Sequence, residues 1–471
     1  MQYVSTRGRA PTLPFDDALL AGLARDGGLY VPAVWPLFSR DDIRALRGLP
    51  YAEVALRVMA PFVGGTIPAG DLRRIVEETY AGFGHDAVAP LKQLDGGLWL
   101  MELFHGPTLA FKDYAMQVLA RLFDHVLAAR GERVTIVGAT SGDTGAAAIE
   151  ACRDREAIDC FILFPKGRVS PVQQRQMTTV VAANVHAVAV EGTFDDCQDL
   201  VKAAFADDGF RDGYSLSAVN SINWARIMPQ IAYYFWAAAS LGAPDRPVSF
   251  AVPTGNFGNV YSAYAARQMG LPVEALVIGT NANDILARFL DSGAMEMRGV
   301  EATLSPSMDI QISSNFERLL FDLLDRDGAA VDRTMASFRQ SGSYTIGAER
   351  LARATALFQG AACDDACTVA TIRDIHARTG ELVDPHTAVG LHAAQVTAGH
   401  RDATVPTVAL ACAHPAKFAV ALERAVGAPA PLPPRMADLL ERPERLTSIA
   451  ADLSALKALV AGRVGARGAA A

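Results

Sequence analysis

From about residue 85 onward the chain alternates short, almost wholly apolar runs with segments of helical periodicity, and this alternation leaves few folds open. Runs that are apolar on both faces belong to doubly buried strands, and strands separated by helices pair in parallel through crossovers. Three strand-to-helix junctions stand out. Arg133–Val137 leads through Gly138-Ala139-Thr140-Ser141-Gly142-Asp143-Thr144-Gly145 into an alanine-rich helix, and Val248–Val252 leads through Pro253-Thr254-Gly255-Asn256-Phe257-Gly258-Asn259 into another. Pro406–Cys412 runs into Ala413-His414-Pro415-Ala416-Lys417-Phe418. Glycines let a backbone approach a ligand, and the helix start that follows presents N–H groups to an anion. Neither loop has the Gly-x-Gly-x-x-Gly or Gly-Lys-Ser/Thr spacing of the common nucleotide folds. Each alone is also what any α/β turn requires. Ligands in open α/β sheets bind beyond the carboxyl ends of strands, which is expected to bring Cys412 and both loops to one edge.

A second stretch, Phe104-His105-Gly106-Pro107-Thr108-Leu109-Ala110-Phe111-Lys112-Asp113, precedes a segment whose apolar residues Ala115, Val118, Leu119, Leu122 and Val126 recur at helical spacing. Lys112 therefore opens a helix, where the exposed N–H groups disfavour an ammonium. Its neighbours Leu109, Ala110 and Phe111 would desolvate the charge, so two effects favour a neutral amine able to attack a carbonyl. A lysine on a first turn is otherwise an ordinary solvated group. Taken with two anion-cradling turns and a polar atom at a strand end, Lys112 points to a carbonyl cofactor that carries a phosphate. Pyridoxal phosphate (PLP) fits: the lysine forms the imine, a glycine-rich loop takes the phosphate, and a strand-end side chain meets the ring nitrogen.

Composition narrows the partners. A net charge of -8 without a basic tract argues against a nucleic-acid surface and leaves small molecules. The longest apolar run, Ile231–Ala239, is far below the ~20 residues that span a bilayer. The N-terminus has no secretory pattern, and six scattered cysteines without a disulfide framework read as a reduced, cytoplasmic protein. Cys363-x-x-x-Cys367 has metal-ligand character, but no second close pair or nearby histidine pair accompanies it in the sequence, so no metal site is expected.

The motifs also carry a resemblance. Ser5-Thr6-Arg7-Gly8, Phe104 to Asp113, Thr140 to Gly145, Asn220-Ser221-Ile222-Asn223-Trp224-Ala225-Arg226, Gly255 to Asn259, Ser305 to Asp309, Ser313 to Arg318, Asp384 to Gly390 and Ala413 to Phe418 occur in this order. In them, and over essentially its whole length, the chain resembles the threonine synthase family. These are PLP enzymes of the tryptophan-synthase-β type (fold type II), here in the longer bacterial and fungal form. The resemblance implies that Lys112 carries the cofactor with Phe111 beside it, and that Gly255, Asn256, Phe257, Gly258 and Asn259 bind its phosphate. It also implies that Asp143 lies near the 3'-oxygen and that Thr140, Ser141 and Thr144 hold the substrate's α-carboxylate. Where the family usually has a threonine meeting the pyridine nitrogen, this chain has Cys412, either a weak polar partner or a small buried thiol.

The implied reaction turns O-phospho-L-homoserine and water into L-threonine and phosphate by γ-elimination and β-addition of water, the last step of threonine biosynthesis. Lys112 would serve as covalent anchor and as proton shuttle. Candidates for the substrate's phosphate are Asn223 and Arg226, three apart and so on one helix face, with Arg168, Lys166 and Ser313 behind them. His105, His386 and His414 lie in motifs as substrate contacts or as hydrogen-bonded structural groups. An O-phosphohomoserine phospholyase, a serine/threonine dehydratase of the same fold, and a cofactor-binding protein or regulator without turnover remain the alternatives. The expected architecture is α/β: a mostly helical N-terminal domain at 1–85, a large PLP-binding domain at 86–112 and 213–471, and a smaller mobile α/β domain at 113–212. The active site should lie in the crevice between the last two, in a monomer or homodimer. Residues 325–370 should form peripheral helices, and the tail after Lys457 should fray.

Overall fold

The structure, a computed structural model, describes residues 1–218 and 221–464. It divides into two compact units. The first comprises Met1–Phe111 and Ser221–Ala430, the second the described residues of Lys112–Asn220 and Pro431–Ala471.

The first unit is built on a six-stranded sheet in the order Phe358–Ala362, Val273–Thr280, Val248–Pro253, Thr407–Ala411, Leu98–Glu102, Leu91–Asp95. The first five strands pair in parallel and Leu91–Asp95 closes the edge antiparallel. Every residue of Val248–Pro253 and of Thr407–Ala411 is buried, which is why these strands read as unbroken apolar runs. The run Ile231–Ala239 lies in the helix Trp224–Ser240, most of whose residues are buried, as expected for a helix apolar on all sides. Among the described residues no helix is long and apolar enough to cross a membrane.

Residues 1–85 are mostly helical as expected, with helices Phe15–Ala21, Arg40–Arg44, Tyr51–Val63 and Ala69–Ala81, and with three short antiparallel strands. They belong to the first unit rather than forming one of their own. The reason is a buried ionic tie: Arg7 Nη2 and Thr6 Oγ1 reach Glu317 at 2.9 and 2.6 Å. Such a pair is costly to break because either charge alone would be stranded in the interior.

The second unit carries a separate, wholly parallel sheet ordered Thr447–Ala450, Val185–Glu191, Ile158–Pro165, Val134–Ala139, Leu216–Ser217. This corrects two expectations. The loop after Val134–Ala139 leaves a different sheet from that of Cys412 and the Gly255 loop, so the three junctions do not share one sheet edge. The C-terminal segment, expected in the large domain, joins the second unit because Thr447–Ala450 pairs with Val188–Glu191. The tail beyond Lys457 continues as the helix Leu453–Val464, pinned by Leu456 and Val460 in the core with Val137, Phe161 and Val188. Residues from 465 onward, and Asn220 of the motif ending in Arg226, lie outside the described residues. Residues 325–370 hold helices Gly328–Ser341 and Ala348–Thr355, but also the sheet's edge strand Phe358–Ala362. Its glycine and alanines gave that strand no β signature.

Candidate active site

In the first unit, the loop Gly255–Asn259 is shaped from below. Ser313 Oγ donates to the Gly255 carbonyl at 2.6 Å, and the Asn256 carbonyl accepts from the amide and side chain of Asn315 at 3.1 and 2.9 Å. A Cβ on Gly255 would sit 2.9 Å from the Ser307 carbonyl oxygen and 3.2 Å from Met308 Cα, so only glycine fits. Phe257 caps the helix Gly258–Gln268 with φ of 63°, a left-handed conformation rare for a bulky residue. Its buried ring holds it there, 5.1 Å from Phe316 and 5.8 Å from Phe358. No side chain caps this helix start. Asn259 Oδ1 accepts from Tyr233 and Tyr234 hydroxyls at 2.5 and 2.7 Å, which leaves its buried Nδ2 without a hydrogen-bond partner.

The strand Thr407–Ala411 delivers Cys412 to its carboxyl end, where the thiol is buried. The Cys412 carbonyl accepts from Phe111 N at 2.8 Å, and buried Lys417 donates to the Thr108 carbonyl at 2.6 Å, which fixes the stretch leading to Lys112. Behind it lies a group of partners that no spacing in the sequence announces. Asp384, wholly buried, accepts from His386 N and Nδ1 at 2.9 and 2.8 Å, from Thr387 Oγ1, and from Ala413 N at 3.3 Å. Thr387 Oγ1 accepts from Cys412 N at 3.0 Å, and His386 Nε2 accepts from Ser307 N at 3.3 Å. One carboxylate thus ties the strand end to the residue beneath Gly255. His386 is a structural hydrogen-bonding group. So are His105, 2.7 Å from Glu102, and His414, which caps its own turn through Ala416 N.

The two phosphate candidates on the helix Trp224–Ser240 separate. Asn223 is not on its face: it is the cap, accepting from Ala225 N at 3.0 Å and donating to the Leu19 carbonyl at 2.8 Å. Arg226 stands in the first turn, buried, and burial pulls its guanidinium down to about 10. Burial and its place in the first turn of the helix both disfavour a cation there. Ser313 serves the Gly255 carbonyl, and Lys166 is an exposed partner of Glu191.

In the second unit, Lys112 is the first residue of the helix Lys112–Arg130 and is 8 % exposed. The nitrogen is desolvated as expected, but it also has Asp143 Oδ2 at 3.4 Å. Asp143 opens the helix Asp143–Cys152, and its Oδ1 accepts from Gln173 Nε2 at 2.8 Å. Gln173 escaped the sequence reading because only the fold joins it to the loop. It also fills the space over Gly142 (φ 149°), where a Cβ would sit 2.4 Å from its side chain. Thr140 Oγ1 accepts from Gly142 N and Gly145 N at 3.0 and 2.9 Å, so this hydroxyl shapes the loop. Ser141 and Thr144 are half-buried beside it.

Each unit by itself offers features that suit pyridoxal phosphate: the second a buried primary amine for its aldehyde, and the first, for an anion, a helix start without a side-chain cap and the Asn259 side-chain donor. Residues 85–337 match the family model described as pyridoxal-phosphate dependent enzyme, and the chain is a PLP-dependent enzyme. The flanks are more particular. Residues 2–80 match threonine synthase N terminus, and residues 387–460 match threonine synthase, C-terminal. The chain belongs to the threonine synthase family. It is 56 % identical to threonine synthase of Pseudomonas aeruginosa over 98 % of both chains. The PLP-bound crystal structure of threonine synthase from Brucella melitensis superposes with a TM-score of 0.97 at 58 % identity, covering 99 % of this chain and 100 % of that one. The yeast enzyme's structure gives 0.94 at 38 % identity, covering 98 % of both.

Proposed function

We propose that this enzyme converts O-phospho-L-homoserine and water to L-threonine and phosphate. The observation that carries the reading is the buried amine of Lys112 at a helix start beside Asp143, in a chain whose two flanks both match the threonine synthase family. Bound PLP supplies an electron-withdrawing group that makes protons on the carbons beside the substrate's amino nitrogen removable. Gly255 to Asn259 would hold the cofactor's phosphate through backbone N–H groups, joined by Asn259 Nδ2, and Cys412, at its strand end, would be the partner for the ring nitrogen. Lys112 would anchor the cofactor, and its amine would move protons at the α-, β- and γ-carbons of the substrate. Phe111 packs beside the cofactor, and Asp143, steadied by Gln173, orients Lys112 and the cofactor's 3'-oxygen. Ser141 and Thr144, on a loop shaped by Thr140, hold the α-carboxylate. Arg226 takes the substrate's phosphate, whose charge grows as it leaves.

The same reading has the enzyme act on a small molecule in the cytoplasm, as a monomer or homodimer, without nucleic acid. The net charge of -8 and the scattered spacing of the six cysteines support it. The test is to supply O-phosphohomoserine to the PLP-loaded protein and quantify phosphate and organic product together. Phosphate and threonine in equal amounts are expected. Phosphate with 2-oxobutyrate would reassign the enzyme as a phospholyase, and no phosphate release would remove the reading.

A further inference from the structure

Away from the proposed catalytic residues, the first unit assembles a group that the sequence left as an isolated Cys-x-x-x-Cys. Cys363 follows the edge strand Phe358–Ala362, and its amide donates to the Thr280 carbonyl at 2.9 Å, so the sheet fixes its position. Asp364 caps the 15-residue helix Asp365–Thr379 by accepting from Cys367 N at 2.8 Å. That turn brings the two sulfurs to 2.7 Å. The third member comes from a neighbouring helix, Pro385–Val396: the His392 ring nitrogen and both sulfurs all lie within 4.8 Å of one another.

We propose that Cys363, Cys367 and His392 bind one thiophilic divalent cation, Zn2+. Two sulfurs and an imidazole are a borderline-soft donor set, which suits zinc and leaves magnesium or calcium without their oxygen ligands. Thr368 Oγ1, 3.6 Å from Cys363 Sγ, offers the outer hydrogen bond that sulfur ligands use. Tetrahedral bonds of ~2.3 Å would set the two sulfurs about 3.8 Å apart, a displacement of roughly one ångström reached by side-chain rotation. Binding exchanges two thiol protons for the cation, so the site's charge stays unchanged. Cys363 is buried, whereas Cys367 and His392 are half-buried, which gives the ion an entry path and a water in the fourth position.

The experiment uses the PLP-loaded enzyme, freshly reduced and freed of reductant, with zinc titrated against a chromophoric chelator and Co2+ as spectroscopic substitute. One Zn2+ per chain and a near-ultraviolet sulfur-to-cobalt band are expected. Cys367→Ser and His392→Ala, both at half-buried positions that spare the core, should each weaken zinc at least ~10-fold, the lower range seen for losing even an outer partner. Comparison with these variants also separates zinc held by the cofactor's phosphate. Unchanged affinity and stoichiometry in both variants, or a cobalt adduct without the sulfur band, would overturn the proposal. So would recovery of the untreated enzyme with the two thiols blocked and the ~2 Da mass loss of a disulfide.

Discussion

Replacing Arg226 by methionine separates stability from activity. The guanidinium stays charged at pH 7 in both folded and unfolded chains, so its lowered proton affinity falls wholly on stability. The fall from the ordinary guanidinium value to about 10 is worth about 3 kcal/mol at ~1.4 kcal/mol per decade, an unfavourable contribution present at all pH values below 10. Methionine fills a similar volume without charge, and replacing buried charges by apolar groups is neutral or stabilising by ~1–4 kcal/mol. Loss of the guanidinium's own interactions offsets part of this, leaving an expected gain of about 1–2 kcal/mol in the PLP-loaded, substrate-free enzyme. Catalysis should move the other way. Losing a charge-assisted contact to phosphate should lower kcat/KM by at least ~100-fold, and inorganic phosphate should stabilise the parent enzyme but not the variant. Urea denaturation with and without phosphate, alongside phosphate-release kinetics, reads both quantities. A variant that is less stable than the parent yet retains its KM would refute the reasoning and make Arg226 a structural anchor.

Lys112→Ala should bind PLP only reversibly and show no turnover; borohydride reduction followed by peptide mapping should label the parent at Lys112 and leave the variant unlabelled. Gly255→Ala pushes a methyl to 2.9 Å from the Ser307 carbonyl, and the strain of about 1–3 kcal/mol should raise the PLP dissociation constant ~10- to 100-fold, measured by equilibrium dialysis. Glu150 is pushed up to about 7 by burial, against the pull of Arg153 3.1 Å away. Its folded form therefore holds the proton more tightly than the unfolded chain, and stability falls as pH rises from about 4.5 to 7. Glu150→Gln should be more stable than the parent by about 3 kcal/mol at pH 8 and equal to it near pH 4.5, as denaturation at the two pH values would reveal.

Helical periodicity after Lys112 and the apolar run before Gly255 made the buried amine and the glycine-containing strand-to-helix loop legible, because both signals are local. What was not legible depends on partners far apart in sequence. Asn223 looks like a ligand on a helix face until Leu19 supplies the carbonyl that occupies its amide. Asp384 shows nothing of its four bonds, since Ala413 and the link through Thr387 to Cys412 arrive from another strand end. Lys112 was read as desolvated by its neighbours, whereas Asp143 beside it lies 31 residues on. His392 is the same case: a cysteine pair without a histidine nearby in sequence acquires one across two helices. Strand Phe358–Ala362 was missed for a different reason, its small residues carrying no local preference.

The pairing of Thr447–Ala450 with Val188–Glu191 has a consequence for biosynthesis. A ribosome makes the other four strands of that sheet early, then spends about 200 residues on the first unit before the last strand emerges. Until then the Val185–Glu191 strand is a bare edge, open to any extended chain that passes. The unit that carries Lys112 is thus begun before the first unit is complete and closed only after it, and a nascent chain cut short before Thr447 would be sticky as well as incomplete.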